Sequence, residues 1–245
     1  MPAKLGPLRP HEERNNYARH IPMEPPPGGP ALGDSFLIVT EGEVTEKMYF
    51  ESVRAALQRN PVAVRVVHPN HTDAEGLVRA AMSMYEKDRH GNRLAREATG
   101  NRDVKVFDHV WVLFDTDVPE RQGQLGPALE LAHNEQIQVG LSTPSAEVWL
   151  LLHFRDRPGP FLNSDKVEHA VGLAWGQHYD KSAETFSKLW PALRPNIPAA
   201  VIRAAQVRDY HSKAATAFPP NPSTQLDLLV RALDASVHPQ FQIIR

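Results

Sequence analysis

Three acidic positions stand directly after short apolar runs, and their placement is the first sign of chemistry in this chain. Glu41 follows SFLIVT at residues 35–40, with Gly42, Glu43 and Glu46 close behind it. Asp115 and Asp117 follow VWVLF in the stretch FDTD. If these runs are neighbouring strands of a parallel sheet, Glu41, Asp115 and Asp117 converge at the carboxyl ends, where ligands are reached in such sheets. Three ionised carboxylates cannot share a small volume without a cation, and hard oxygen donors of this kind suit Mg2+ or Mn2+. Mg2+ usually takes one or two carboxylates, several waters and the phosphates of a substrate, which points to phosphoryl chemistry. Each part has an ordinary explanation when taken alone. An apolar strand followed by DxD occurs in phosphatases, glycosyltransferases and nucleases, and Asp117 would equally suit a turn or a helix cap.

The elements that must position these acids alternate. SFLIVT reads as a buried strand and is followed by a helix with Met48, Tyr49, Val53, Ala56 and Leu57 at helical spacing, Thr45 standing near its amino cap. Residues 61–68 read as a second strand and 72–88 as a second helix, with the polar stretch 89–105 extending it or forming a loop. Residues 108–114 form a third strand, 125–134 a helix and 136–141 a fourth strand. Alternating strands and helices imply a parallel sheet with right-handed crossovers. The remainder reads as helices over 146–154, 165–177, 183–193, 198–218 and 223–235, separated by proline-rich turns such as FPPNPS. The expected layout is a flexible proline-rich tail at 1–34, an α/β core at 35–144 and an α-helical extension at 145–245. The tail holds eight of the 22 prolines and a basic stretch that includes Arg9, Arg14 and Arg19.

Composition narrows the classes further. The chain has 245 residues, 41% of them hydrophobic, and no cysteine, which excludes disulfide scaffolds, thiol catalysis and cysteine-based zinc sites. No apolar run approaches the ~20 residues that span a bilayer, and the first residues do not read as a secretory signal, so a cytoplasmic location is expected. The formal charge of −2 leaves any nucleic-acid surface to local patches. The strongest such stripe outside the tail is Arg194, Arg203, Arg208 and Lys213, on or near one long helix, although a solvated helix face looks the same in sequence.

Taken in order, FLIVTEGEVTEKMYF, VWVLFDTD, STPSAEVWLLLHF, YDK at Tyr179–Lys181 and NPST at Asn221–Thr224 resemble the RloB-like proteins over about residues 35–235. The resemblance implies a TOPRIM-like (Rossmann-like) α/β fold with a mainly parallel sheet. It also implies a Mg2+- or Mn2+-dependent nuclease of prokaryotic anti-phage defence, from a group often encoded beside a partner ATPase. It assigns the site to Glu41, Asp115 and Asp117, adds Glu46 and Glu147 as accessory acids, and marks His153 and Lys181 as polar members of the pattern. On this reading Glu41 moves a proton, Asp115 and Asp117 hold the metal, and Lys181 offsets charge on the phosphate.

Several positions keep two readings. Glu147 lies beside Trp149 and Leu150, where a lone carboxylate is costly, so either a metal or a basic partner would explain it. His153 suits a ligand or a hydrogen-bonded core histidine, and Ser142 suits a phosphate contact or a cap for the helix that follows. Two other functional classes stand beside the nuclease. One is a non-catalytic module that binds an ATPase or nucleic acid; on either reading the chain could also form a homo-oligomer. The other is a haloacid-dehalogenase-like phosphatase built on Asp115, which leaves Glu41 unexplained.

Overall fold

The computed structural model describes residues 31–59, 63–69, 73–99, 107–116, 119–156 and 158–244. The strands β1 (Phe36–Thr40), β2 (Val64–Val67), β3 (His109–Asp115), β4 (Gln138–Thr143) and β5 (Ser223–Thr224) form one sheet in the order β2-β1-β3-β4-β5. The first four run parallel, and β5 adds antiparallel to the carboxyl end of β4. The helices are α1 (Thr45–Ala56), α2 (Ala74–Thr99), α3 (Pro119–Asn134), α4 (Glu147–Leu152), α5 (Ser164–Trp175), α6 (Ala183–Leu193), α7 (Ile197–Lys213) and α8 (Leu226–Ala235). Among the described residues, no helix is long and apolar enough to cross a membrane.

Successive strand residues point to opposite faces, and here both faces are covered. Phe36, Ile38, Trp111 and Leu113 pack with α1 and with α4 to α8, while Leu37, Val39, Val112 and Phe114 pack with α2 and α3. This two-sided burial is why β1 and β3 read as unbroken apolar runs rather than as alternating ones. The α/β architecture with a mostly parallel sheet and carboxyl-terminal helices is the one expected.

Two local differences are informative. The run 223–235, expected as one helix, begins with the two-residue strand β5, and α8 starts only at Leu226. Ser223 and Thr224 pair with Thr143 and Ser142, so the β4 edge captures them before the helix begins. The second helix continues through much of the polar stretch to Thr99. The proline-rich tail falls largely at residues 1–30, outside the described residues, as does Asp117.

Candidate functional site

β1 and β3 are neighbours in register, with Thr40 opposite Leu113, so the residues that leave their carboxyl ends emerge side by side. The Glu41 N–H donates to the Leu113 carbonyl at 3.0 Å and carries the ladder one step past the strand. The Glu41 side chain then turns across the pair, and its Oε2 accepts the Asp115 N–H at 3.0 Å. Glu41 and Asp115 are both half-buried. The fold thus brings the Glu41 side chain onto the backbone amide of Asp115. Asp117 lies outside the described residues, and no three His, Asp or Glu side chains among those described are gathered tightly enough to hold a metal ion. Two carboxylates with hard oxygen atoms at adjacent strand ends nevertheless suit Mg2+ or Mn2+, which commonly use one or two protein carboxylates.

A second set of charges lies behind this pair. Glu46, 4% exposed, accepts the Gly42 N–H at 3.1 Å. A Cβ on Gly42 would stand 2.0 Å from Glu46 Oε2, so a side chain there would force the Glu46 carboxyl to move away from the turn. Burial pushes the Glu46 carboxyl up to about 7, and the nearby Glu147 charge adds to the shift.

Glu147 is 1% exposed, and both of its oxygens are engaged. Oε1 accepts from Thr45 Oγ1 at 2.8 Å, while Oε2 accepts from Ser145 Oγ at 2.7 Å and pairs with Lys181 Nζ at 3.1 Å. Of the two explanations open for this carboxylate, the structure supplies the basic partner. Lys181 also reaches Glu168 Oε1 at 3.0 Å. Burial draws the Lys181 ammonium down, but the carboxylates of Glu147 and Glu168 more than offset this and hold it above its usual range. Tyr179 OH lies 3.0 Å from Thr45 Oγ1, and burial followed by the Glu147 charge raises its phenol. Glu168 and Tyr179 also line a surface groove of about 620 Å3, together with His169, Leu173 and His178. Nothing in the local sequence singles out Glu168, whose partner comes from the loop before α6.

Several expected roles change. Thr45 does not cap α1, because its hydroxyl is drawn to Glu147 and Tyr179. Ser142 is fully buried, with its Oγ 3.0 Å from Thr224 Oγ1, so β5 covers the hydroxyl expected to meet phosphate. His153, 1% exposed, is a core histidine. Its Nδ1 faces the Trp149 carbonyl at 2.9 Å, which fixes the proton there, and its Nε2 accepts from Tyr49 OH at 3.1 Å. Burial lowers His153 to about 4, so it stays neutral near pH 7.

The expected cationic stripe is largely taken up by internal contacts. Arg208 donates to Asp227, which is fully buried, and to the Thr224 carbonyl at 2.8 Å, tying α7 to β5 and α8. Arg203 pairs with Asp156 and donates to the Leu152 and His153 carbonyls at 3.0 and 3.1 Å, closing the carboxyl end of α4. Lys213 pairs with Asp209 one turn earlier on the surface, and Arg194 is exposed. Arg203 and Arg208 face inward because each satisfies carbonyls or a carboxylate that would otherwise be buried unpaired.

A mostly parallel sheet with helices on both faces, whose adjacent first and third strands lead into Glu41 and end in Asp115, is an α/β protein consistent with the TOPRIM-like fold that the resemblance implies. The family model described as RloB-like protein matches residues 36–233, which take in both acids and the Lys181–Glu147 pair, and the chain belongs to that family. No curated protein and no solved structure matches it.

Two outcomes follow from this geometry. The folded protein holds the Glu46 proton more tightly than the unfolded chain does, so the stability this group lends is present below about pH 4.5 and lost as pH rises through about 7. Glu46→Gln cannot ionise yet can still accept from Gly42. In thermal unfolding it should match the wild type at pH 4.5 and exceed it by roughly 5 °C at pH 8; an equal difference at both pH values would refute the raised carboxyl. Arg208→Met leaves Asp227 buried with Arg231, at 3.8 Å, as its one remaining ion-pair partner among the described residues. It should lower stability by about 3 kcal/mol, or roughly 10 °C in Tm. Unchanged stability with weakened nucleic-acid binding would instead return Arg208 to the surface role.

Proposed function

We propose that this chain is a Mg2+- or Mn2+-dependent phosphodiesterase that hydrolyses nucleic acid, DNA or RNA with tRNA among the substrates, in prokaryotic anti-phage defence beside a partner ATPase. The observation that carries this reading is the pair of carboxylates at the ends of adjacent parallel strands, joined by the hydrogen bond from the Asp115 N–H to Glu41 Oε2. A binding module needs no such pair, and a phosphatase built on Asp115 alone leaves Glu41 without a task.

Glu41 and Asp115, with Asp117, would hold the cation. When bound, the metal would polarise the phosphoryl group and stabilise the charge that builds on it. Glu41 is the group suited to move a proton at the nucleophile or the leaving oxygen, being half-exposed at a strand end. The backbone amide of Asp115 fixes its orientation, so the carboxylate meets substrate already aimed. Glu46, buried behind Gly42 and titrating near neutrality, is suited to keep a proton close to the same turn. Lys181 and Glu147 have lesser claims on direct chemistry here, because each is already paired with the other.

The test is cleavage of a panel of tRNA, single-stranded DNA and duplex DNA with Mg2+, Mn2+ or EDTA, comparing the wild type with Asp115→Ala. The expected result is metal-dependent cutting of one substrate class, reduced at least about 100-fold in the variant. Absence of cutting with every metal and substrate, with and without the partner ATPase, would overturn the nuclease reading in favour of a binding module.

A further inference from the structure

We propose that Lys181 is a positioning residue for the Glu41–Asp115 centre, acting through Glu147 and the first turn of α1 rather than on substrate. The inference rests on the reading of that centre as a metal site. It begins from the contacts of the Lys181 ammonium, which has three donors. Two of them meet Glu147 at 3.1 Å and Glu168 at 3.0 Å, and only 35% of the side chain is exposed.

The contacts then run without a break to the strand ends. Glu147 accepts from Thr45 Oγ1, the first side chain of α1, and the same hydroxyl meets Tyr179, two residues before Lys181. The segment 179–181 therefore grips the start of α1 by two routes. Glu46, the next residue of that turn, binds the Gly42 N–H, and Gly42 directly follows Glu41. Glu41 in turn accepts from Asp115. Only Gly42, Glu43 and Val44 separate the Glu41 backbone from α1, so a shift of the first helical turn is passed to the carboxylate pair with little slack.

The backbone gives independent support. Lys181 has φ +55°, a left-handed conformation that disfavours residues with a side chain. Such a conformation persists where surrounding contacts over-determine it, and here the ion pairs to Glu147 and Glu168 do so. Glu147, at 1% exposure, makes the pair obligatory: without Lys181 its charge is buried with no paired cation among the described residues. A lysine placed to meet phosphate would have little reason to be held this way. Groups that orient metal ligands commonly set metal affinity, and Lys181 would do so through the longer relay of Glu147, Thr45, Glu46 and Gly42.

The experiment uses the full chain and four proteins: wild type, Lys181→Met, Lys181→Arg and the double variant Lys181→Met/Glu147→Gln. Mn2+ affinity is measured by calorimetry without substrate, and amide hydrogen exchange over residues 41–48 is measured without metal. Lys181→Met should weaken Mn2+ binding about tenfold and speed exchange in that segment. Lys181→Arg should recover most of both. The double variant should do the same, because glutamine can still accept from Thr45 and needs no cation. A lysine acting on phosphate would not be rescued by changing Glu147. Wild-type Mn2+ affinity and exchange in Lys181→Met, or no recovery in the double variant, would overturn the proposal. If Lys181→Met does not fold, recovery in the folded double variant still decides the matter. If the wild type binds no Mn2+, the metal reading fails on its own, and the metal-free exchange comparison still reports on Lys181.

Discussion

The parallel pairing of β1 with β3 is the constraint on which the rest of the molecule depends. Because Thr40 lies opposite Leu113, the chain leaves both strands at one edge of the sheet, and Glu41 and Asp115 cannot avoid each other. The Glu41 carboxylate is brought onto the Asp115 backbone, and a carboxylate placed there needs donors or a cation to relieve its charge. The Asp115 amide donating to Glu41 is one such relief, and a divalent cation between the groups would be a stronger one. The strands cannot slip to separate the acids. A slip of one residue would turn Phe36, Ile38, Trp111 and Leu113 away from the carboxyl-terminal helices and expose the two core clusters to the wrong faces.

Burial of charge is the second organising force, and it explains why the carboxyl-terminal helices contribute more than a cover. Glu147 and Asp227 are almost completely enclosed, and each has recruited a cation from a distant part of the chain, Lys181 in one case and Arg208 in the other. These pairs need not add net stability over well-packed apolar residues, but breaking either leaves an uncompensated buried charge. They act as registration pins. Arg208 fixes α7 against β5 and α8, and Lys181 fixes the loop before α6 against α4 and α1. The second pin lies close enough to the β1–α1 turn to bear on the geometry of the acidic pair.

Much of the sheet was legible in the residues. Unbroken apolar runs such as FLIVT and VWVLF announce strands buried on both faces, and acids placed directly after them point to the carboxyl edge. The order of motifs then identified the family. What escaped was tertiary in origin. Ser223 and Thr224 carry no strand pattern of their own and become β5 only because the β4 edge offers hydrogen bonds. The arginines of α7 form a plausible cationic stripe in one dimension, and only the fold shows that Arg203 meets the end of α4 while Arg208 meets a buried aspartate. Glu147 was recognisable as a carboxylate needing a partner. Which partner depended on a loop residue with a left-handed backbone, for which an isolated lysine gives no signal.

The most direct measurement is calorimetric titration of Mn2+ into the metal-free full chain, comparing the wild type with Asp115→Asn and Glu41→Gln. Both substitutions remove a charge with little change of shape, and Glu41→Gln can still accept the Asp115 amide. The expected result is saturable Mn2+ binding by the wild type and a loss of affinity of at least about tenfold in each variant, with unchanged thermal unfolding of the metal-free proteins. Equal binding by all three proteins, or none by the wild type, would contradict the account of the strand-end carboxylates as a metal centre.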